Sequence, residues 1–429
     1  MERLDVVCRE GRESQIGDLI GRLVSYIFFI GLFWLITTSP SVAKVQMGVD
    51  VFLTGYTQLV AGKRVGLITN ETGRTSSGVT TVDALRRHTA VNLVALFAPE
   101  HGIKGKVEAG KHIGDSQLGD MPVFSLYGGG SKRPKKAALD RVDVLVYDIQ
   151  DVGSRAYTYI WSLAEVMAAA AEYDKRVVVL DRPNPLGGLT VDGPVSEKKW
   201  LSFIGLYPVP RVYGLTVGEL ARYLNKEYDI GCTLTVVPMA GYRRNMRWQD
   251  VGQAWVRPSP NIPSPESAVC FAATGTIGTL GTLHIGIGTK MPFQVVGAPW
   301  IHADETARDL NLMRLPGVRF RPMTFVSEQY LFRGKKVGAV FLDVVDPVRF
   351  QPARTEVAML AHFVKKYPQF KMPSGRHNGF DKAMGTSTVR EALLRGDDAR
   401  QIWTRWSQKV LDFSMVRQKY LLYRSGGVH

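Results

Sequence analysis

The chain has 429 residues, 45% of them hydrophobic and 22% charged, with a formal net charge of +15. This composition excludes intrinsic disorder, a collagen-like repeat and a small disulfide scaffold. Only one long apolar run is present, which excludes a polytopic membrane protein, and the length suits two or three domains of ~150 residues.

That run is Leu23 to Ile36, LVSYIFFIGLFWLI, with Arg22 before it and TTSPSVAK after it. A positive flank, a short apolar core and small residues at Ser41 and Ala43 predict a secretory signal peptide over 1–43. An uncleaved anchor would need about 20 apolar residues, so cleavage is expected, leaving no stable transmembrane span. The protein is expected to be exported, to a periplasm or beyond the cell. Residues 1–43 hold four arginines and five acids, so the remainder carries 50 basic and 34 acidic groups, a net of +16. Such a surface suits an anionic lipid or wall polymer. No zinc-finger or RNA-binding signature occurs, so nucleic acid is not expected as a partner. Cys8 falls in the leader; Cys232 and Cys270 either pair or stay as buried thiols.

Past the leader, short apolar runs alternate with helical patterns. Strands are expected at Arg64–Thr69 (RVGLIT), Val91–Phe97, Met121–Leu126, Val142–Tyr147 (VDVLVY), Arg176–Leu180 (RVVVL) and Thr233–Pro238. Helices are expected at Val79–His88, Tyr157–Tyr173 and Leu215–Tyr228. Continuous β-branched runs between amphipathic helices predict an α/β fold, a Rossmann-like doubly wound parallel sheet, over 44–262. The proline-rich RPSPNIPSP at 257–265 reads as a boundary. A smaller α+β auxiliary domain is expected over 263–429, with strands near 318–325 and 337–345 and helices near 354–366, 387–395 and 399–416. The Gly/Thr-rich stretch 274–289 reads as a close backbone approach or a tight loop.

Ligands of such sheets bind beyond the carboxyl ends of the strands. Four strand ends carry polar groups: Asn70; Glu100 and His101; Asp148, Gln150 and Asp151; Asp181, Arg182 and Asn184. In FAPEHGIKG, Glu100 is a candidate general acid or base, or else a turn cap. In YDIQDVGSRAYTYIWSL, Arg155 suits a carboxylate, with Tyr157 and Tyr159 beside it at a helix start; alternatively Asp151 caps the helix and pairs with Arg155. DRPNPLGG, 181–188, reads equally as site loop or turn. No G-x-G-x-x-G, G-x-S-x-G or Walker loop and no zinc-ligand spacing is present, so no nucleotide cofactor or metal is expected.

These motifs, in this order, resemble the NamZ-type exo-β-N-acetylmuramidases, a family long described only as a domain of unknown function. The resemblance runs from about Gly48 to Tyr423 and includes GLTVGELARYLN, MPFQVVGAPW, FDKAMGTSTVREALL and RQKYLLY. It implies a Rossmann-like domain and an auxiliary domain with the cleft between them. The implied activity is removal of terminal N-acetylmuramic acid from peptidoglycan fragments. Glu100 falls on the family's candidate catalytic glutamate. Asp148, Gln150, Asp151, Arg155, Tyr157 and Tyr159 fall on its cleft block. One loop departs from the family pattern: Leu280, Leu283 and Ile287 stand where Glu, Asn and Arg are expected, with His284 and Lys290 as the polar substitutes nearby.

The resulting reading makes Glu100 the acid. Either Asp148 or Asp151 activates water or attacks the sugar, or the substrate's own acetamido oxygen attacks with an acid or Tyr157 orienting it. Asn70, His101, Gln150, Arg155, Tyr159, Asp181, Asn184 and His284 are expected to bind substrate. The alternative is a peptidoglycan-binding protein without turnover, or a glycosidase of altered sugar specificity.

Overall fold

The β-branched runs form a seven-stranded sheet. In chain order its strands are β1 (Arg64–Thr69), β2 (Asn92–Ala98), β3 (Ser116–Leu118), β4 (Met121–Ser125), β5 (Val144–Asp148), β6 (Arg176–Leu180) and β7 (Thr233–Val237). This computed structural model describes residues 44–108, 110–128 and 132–426. The expected signal peptide and Cys8 lie outside the described residues.

The spatial order is β3-β4-β2-β1-β5-β6-β7, with every pairing parallel except β3 against β4. Alternate residues of each central strand face opposite sides, and both sides are covered. Ile68, Leu145, Val177 and Val179 pack under the helices Tyr159–Glu172 and Val217–Glu227. Val65, Leu67, Val146 and Val178 pack on the other side against Phe52 and Leu85. Each such side chain, removed wholly from water, contributes about 1.5–3 kcal/mol. From β1 the chain winds outward through β2 to β4; from β5 it winds the opposite way through β6 to β7. The connections diverge between β1 and β5, and a crevice opens there at the carboxyl edge.

A second sheet, antiparallel, has β8 (Val295–Ala298), β9 (Val318–Val326) and β10 (Lys336–Val344) in the order β8-β10-β9. Helices at Ala303–Leu312, Pro352–Lys366, Asn378–Met384, Thr388–Leu394 and Ala399–Arg417 accompany it. One core cluster runs from Ile68 and Trp161 through Ile277 to Phe363, so buried apolar contact is continuous between the two sheets.

One expectation about this region is corrected. The helix Pro265–Gly278 takes in Gly275 and Gly278, so the tight-loop reading does not hold for the start of the Gly/Thr-rich stretch. Ser264 caps it by accepting from the Ser267 N–H, and Pro265 occupies the first turn, where a missing N–H costs nothing. Cys232 and Cys270 are both buried and unpaired. Among the described residues no helix is long and apolar enough to cross a membrane.

Candidate active site

Glu100 follows β2 and is only 6% exposed, yet it lines a cavity of about 470 Å³. Small-molecule sites commonly occupy about 300–1,000 Å³. Three donors fix its carboxylate. The Gly110 N–H donates to Oε1 at 2.8 Å, and the Thr158 hydroxyl donates to Oε2 at 2.7 Å. The third donor is the Tyr127 hydroxyl; burial, then the neighbouring carboxylate, push its pKa up to about 12, so it remains a proton donor. Thr158 is the N-cap residue of the helix Tyr159–Glu172, whose free N–H groups favour negative charge. A β-strand end and a helix start therefore converge on one carboxylate.

The chain turns sharply after Glu100. His101 and Gly102 both adopt left-handed backbone, with φ of 71° and 74°. For His101 this costs on the order of 1–3 kcal/mol, and the ring's Nδ1, 2.6 Å from the Val107 carbonyl, helps to hold it. The opposite wall is aromatic: Tyr157, Phe271 and Phe293 line it, with Tyr157 and Phe293 each edge-on to Phe271. Burial pushes the Tyr157 hydroxyl far above its ordinary pKa, beside Ser259 and Tyr159. Asn261 lines the cavity from the proline-rich crossing, and two lysines, Lys132 and Lys382, line it as well.

Of the residues expected in the site, Glu100, His101 and Tyr157 line this cavity. The others do not, and their partners explain why. Asp148 is fully buried, with Arg182 donating from Nε at 2.5 Å and from Nη2 at 2.9 Å, and the Thr81 hydroxyl completing its shell. Both of its oxygens are thus engaged in a buried ion pair, away from the Glu100 cavity lining. Asp151 accepts from the Gly153 N–H at 2.7 Å and from the Tyr213 hydroxyl, and burial raises its pKa to about 6. Gly153 has φ +79°, and a Cβ there would stand 2.1 Å from the Asn184 Oδ1, so this turn requires glycine.

Arg155 is corrected most sharply. It is wholly buried and donates to the carbonyls of Pro194 at 2.6 Å, Val209 at 2.8 Å and Ala383 at 3.0 Å. Its guanidinium ties these segments together. Burial, then the Arg211 charge, lower its pKa to about 9.

Asn70 accepts from the Thr72 N–H at 3.0 Å and the Thr72 hydroxyl at 2.5 Å. Gln150 donates to the Asp151 and Pro183 carbonyls and borders a separate cavity of about 170 Å³ beside Arg74 and Arg182. Tyr159 donates to the Pro258 carbonyl. Asp181 caps the helix Val217–Glu227 through Thr216 and the Gly218 N–H, and also accepts from Tyr423 at 2.6 Å. Asn184 bridges Leu215 and Leu186.

The divergent loop is core, not cleft. Leu280 and Leu283 are 8% and 0% exposed and belong to the main core, with Ile287 packed against it. His284 is fully buried, accepting from the Gly286 N–H at 3.0 Å between the rings of Phe325 and Tyr330. None of these four lines the Glu100 cavity. Several residues that do line it were passed over by the sequence reading. Tyr127 was within reach of the strand-end rule, since β4 ends at Ser125. Lys132, Asn261, Phe271 and Lys382 arrive from loops and helices whose meeting no local pattern encodes.

Comparison with known proteins bears on this geometry. The N-terminal family model of exo-β-N-acetylmuramidase NamZ matches residues 65–266, and the C-terminal one matches residues 269–423. A peptidoglycan β-N-acetylmuramidase NamZ from Bacillus subtilis (strain 168) is 41% identical over 385 residues, 89% of this chain and 92% of that protein. Two crystal structures of DUF1343 family proteins from Bacteroides fragilis NCTC 9343 share the fold. One has a TM-score of 0.84 and 37% identity, covering 89% of this chain and 99% of the other. The second has a TM-score of 0.68 and 28% identity, covering 90% and 100%. The chain belongs to the NamZ exo-β-N-acetylmuramidase family.

Proposed function

We propose that this protein is an exo-acting glycosidase that releases terminal N-acetylmuramic acid from peptidoglycan fragments, with Glu100 as its general acid and base. The family and its Bacillus subtilis relative support the reaction class. The observation that carries the role of Glu100 is its position: a carboxylate held by three donors, with its free edge on a cavity walled by aromatic rings. Glu100 gives its proton to the departing glycosidic oxygen, then takes one from the water that completes hydrolysis.

Two-carboxylate schemes place the second group about 5–9.5 Å from the first. Among the described lining residues Glu100 is the only carboxylate, since Asp148 is spent on Arg182 and Asp151 lies outside the lining. This favours attack by the substrate's own acetamido oxygen, with Tyr157 as the hydroxyl available to orient it. The apolar run Leu23–Ile36 and the net charge of +15 support an exported protein that meets an anionic wall polymer.

The test is hydrolysis of a chromogenic N-acetylmuramic acid glycoside and of a defined muramic acid–glucosamine disaccharide. Wild-type protein is expected to release N-acetylmuramic acid from both, and Glu100→Gln to lose that release. Wild-type-like turnover by Glu100→Gln would remove Glu100 from the role.

A further inference from the structure

A muramic acid differs from a glucosamine by one lactyl ether, and therefore by one carboxylate. A cation in the cavity would read it more strongly than a neutral donor does. Arg155 is not among the lining residues, and its two terminal nitrogens donate to three backbone carbonyls.

Among the described residues the cavity is lined by two lysines, Lys132 and Lys382, against the single carboxylate of Glu100. Lys132 follows β4. Its Nζ stands 3.3 Å from the centroid of the Tyr127 ring and 5.4 Å from that of Phe203, and neither contact neutralises the charge. Partial burial lowers its pKa while Glu100 opposes that shift. Lys382 is half-buried on the helix Asn378–Met384 and has no carboxylate partner among the described residues. The acid next to it, Asp381, is taken by Arg390 at 2.9 Å. The Arg155 bond to the Ala383 carbonyl fixes this helix beside the sheet, so the buried arginine positions the lysine that reaches the cavity.

The charge balance favours an anionic guest. The lining sets two lysines against one carboxylate, and one substrate carboxylate brings these charges into balance in a partly desolvated space.

We propose that Lys132 and Lys382 are the specificity pair of this cavity and bind the lactyl carboxylate of N-acetylmuramic acid. The proposal rests on the muramidase reading above. It predicts a preference for muramic acid over its uncharged analogues that depends on these two side chains.

The experiment is calorimetric binding to Glu100→Gln protein of two ligands, N-acetylmuramic acid and its lactyl methyl ester. The free acid is expected to bind at least about tenfold more tightly than the ester, the size of one charge-assisted bond. Lys132→Met and Lys382→Met should each weaken binding of the acid by roughly fivefold to tenfold and leave the ester within twofold. Together they should erase the preference, and Lys382→Arg should restore it in part. Equal binding of acid and ester by the Glu100→Gln protein, or equal losses for both ligands in the lysine variants, would overturn the lysine assignment alone. If neither ligand binds and wild-type protein releases no muramic acid, the muramidase reading fails and this assignment with it.

Discussion

Glu100 and Asp148 occupy equivalent places, each a carboxylate at the carboxyl end of a central parallel strand, and both are almost wholly buried. Their surroundings divide them. Glu100 is held by neutral donors, a hydroxyl from each of two side chains and one backbone N–H, and keeps an edge on a cavity. Asp148 is met by the guanidinium of Arg182 and sealed. A carboxylate needed for proton transfer must remain free to change charge. One that balances a buried arginine must not, because the unpaired cation left behind would carry the full desolvation cost. Strand-end position thus nominates candidates, and the partner decides between chemistry and architecture.

Breaking each side of this contrast gives the largest expected effects. Glu100→Gln should lower kcat by ~10²–10⁴-fold, with its thermal midpoint within a few degrees of wild type, checked by steady-state hydrolysis and calorimetry. Asp148→Ala should do the reverse. It leaves Arg182 buried and unpaired and should cost about 3–5 kcal/mol in urea unfolding, while turnover per folded molecule falls far less than in Glu100→Gln.

Leu283→Ala tests whether the divergent loop belongs to the core. A stability loss of about 2–5 kcal/mol with an unchanged KM is expected, whereas a KM effect without destabilisation would return the loop to the cleft.

The smallest effect concerns Asp151. Burial lifts its pKa to about 6, above that of the unfolded chain. The folded state therefore holds the proton more tightly, and the associated stability, full below about pH 4, is lost as pH rises through 6. Asp151→Asn should flatten that part of the stability profile, measured as the urea midpoint at pH 4.5 against pH 7.

Much of this protein was legible in one dimension. β1 and β6 occupy the residues that their apolar runs indicated, and the capping box of Thr216 and Glu219 starts the helix Val217–Glu227 within two residues of its expected beginning. Parallel strands buried on both faces require continuous β-branched runs, so local composition carries their signal. The helix Pro265–Gly278 was half hidden because Gly and Thr mark loops locally, yet here they permit close packing: a Cβ at Gly278 would lie 2.4 Å from Ile285. Short β8, at four residues, is too brief to show a period.

The sequence by itself determined the parallel sheet, the edge of it where a ligand would bind, and Glu100 as a candidate at that edge. Only the tertiary structure decided which candidates stay open to a ligand. It enclosed Arg155 among carbonyls, paired Asp148 with Arg182, turned Leu283 into the core, and brought Lys132 and Lys382 to the cavity that Glu100 lines. The physical reason is that strand and helix formation follow side-chain periodicity within a few residues of chain. Whether a polar group is free depends on partners that arrive from 34 residues away, as for Asp148, or from 228, as for Arg155.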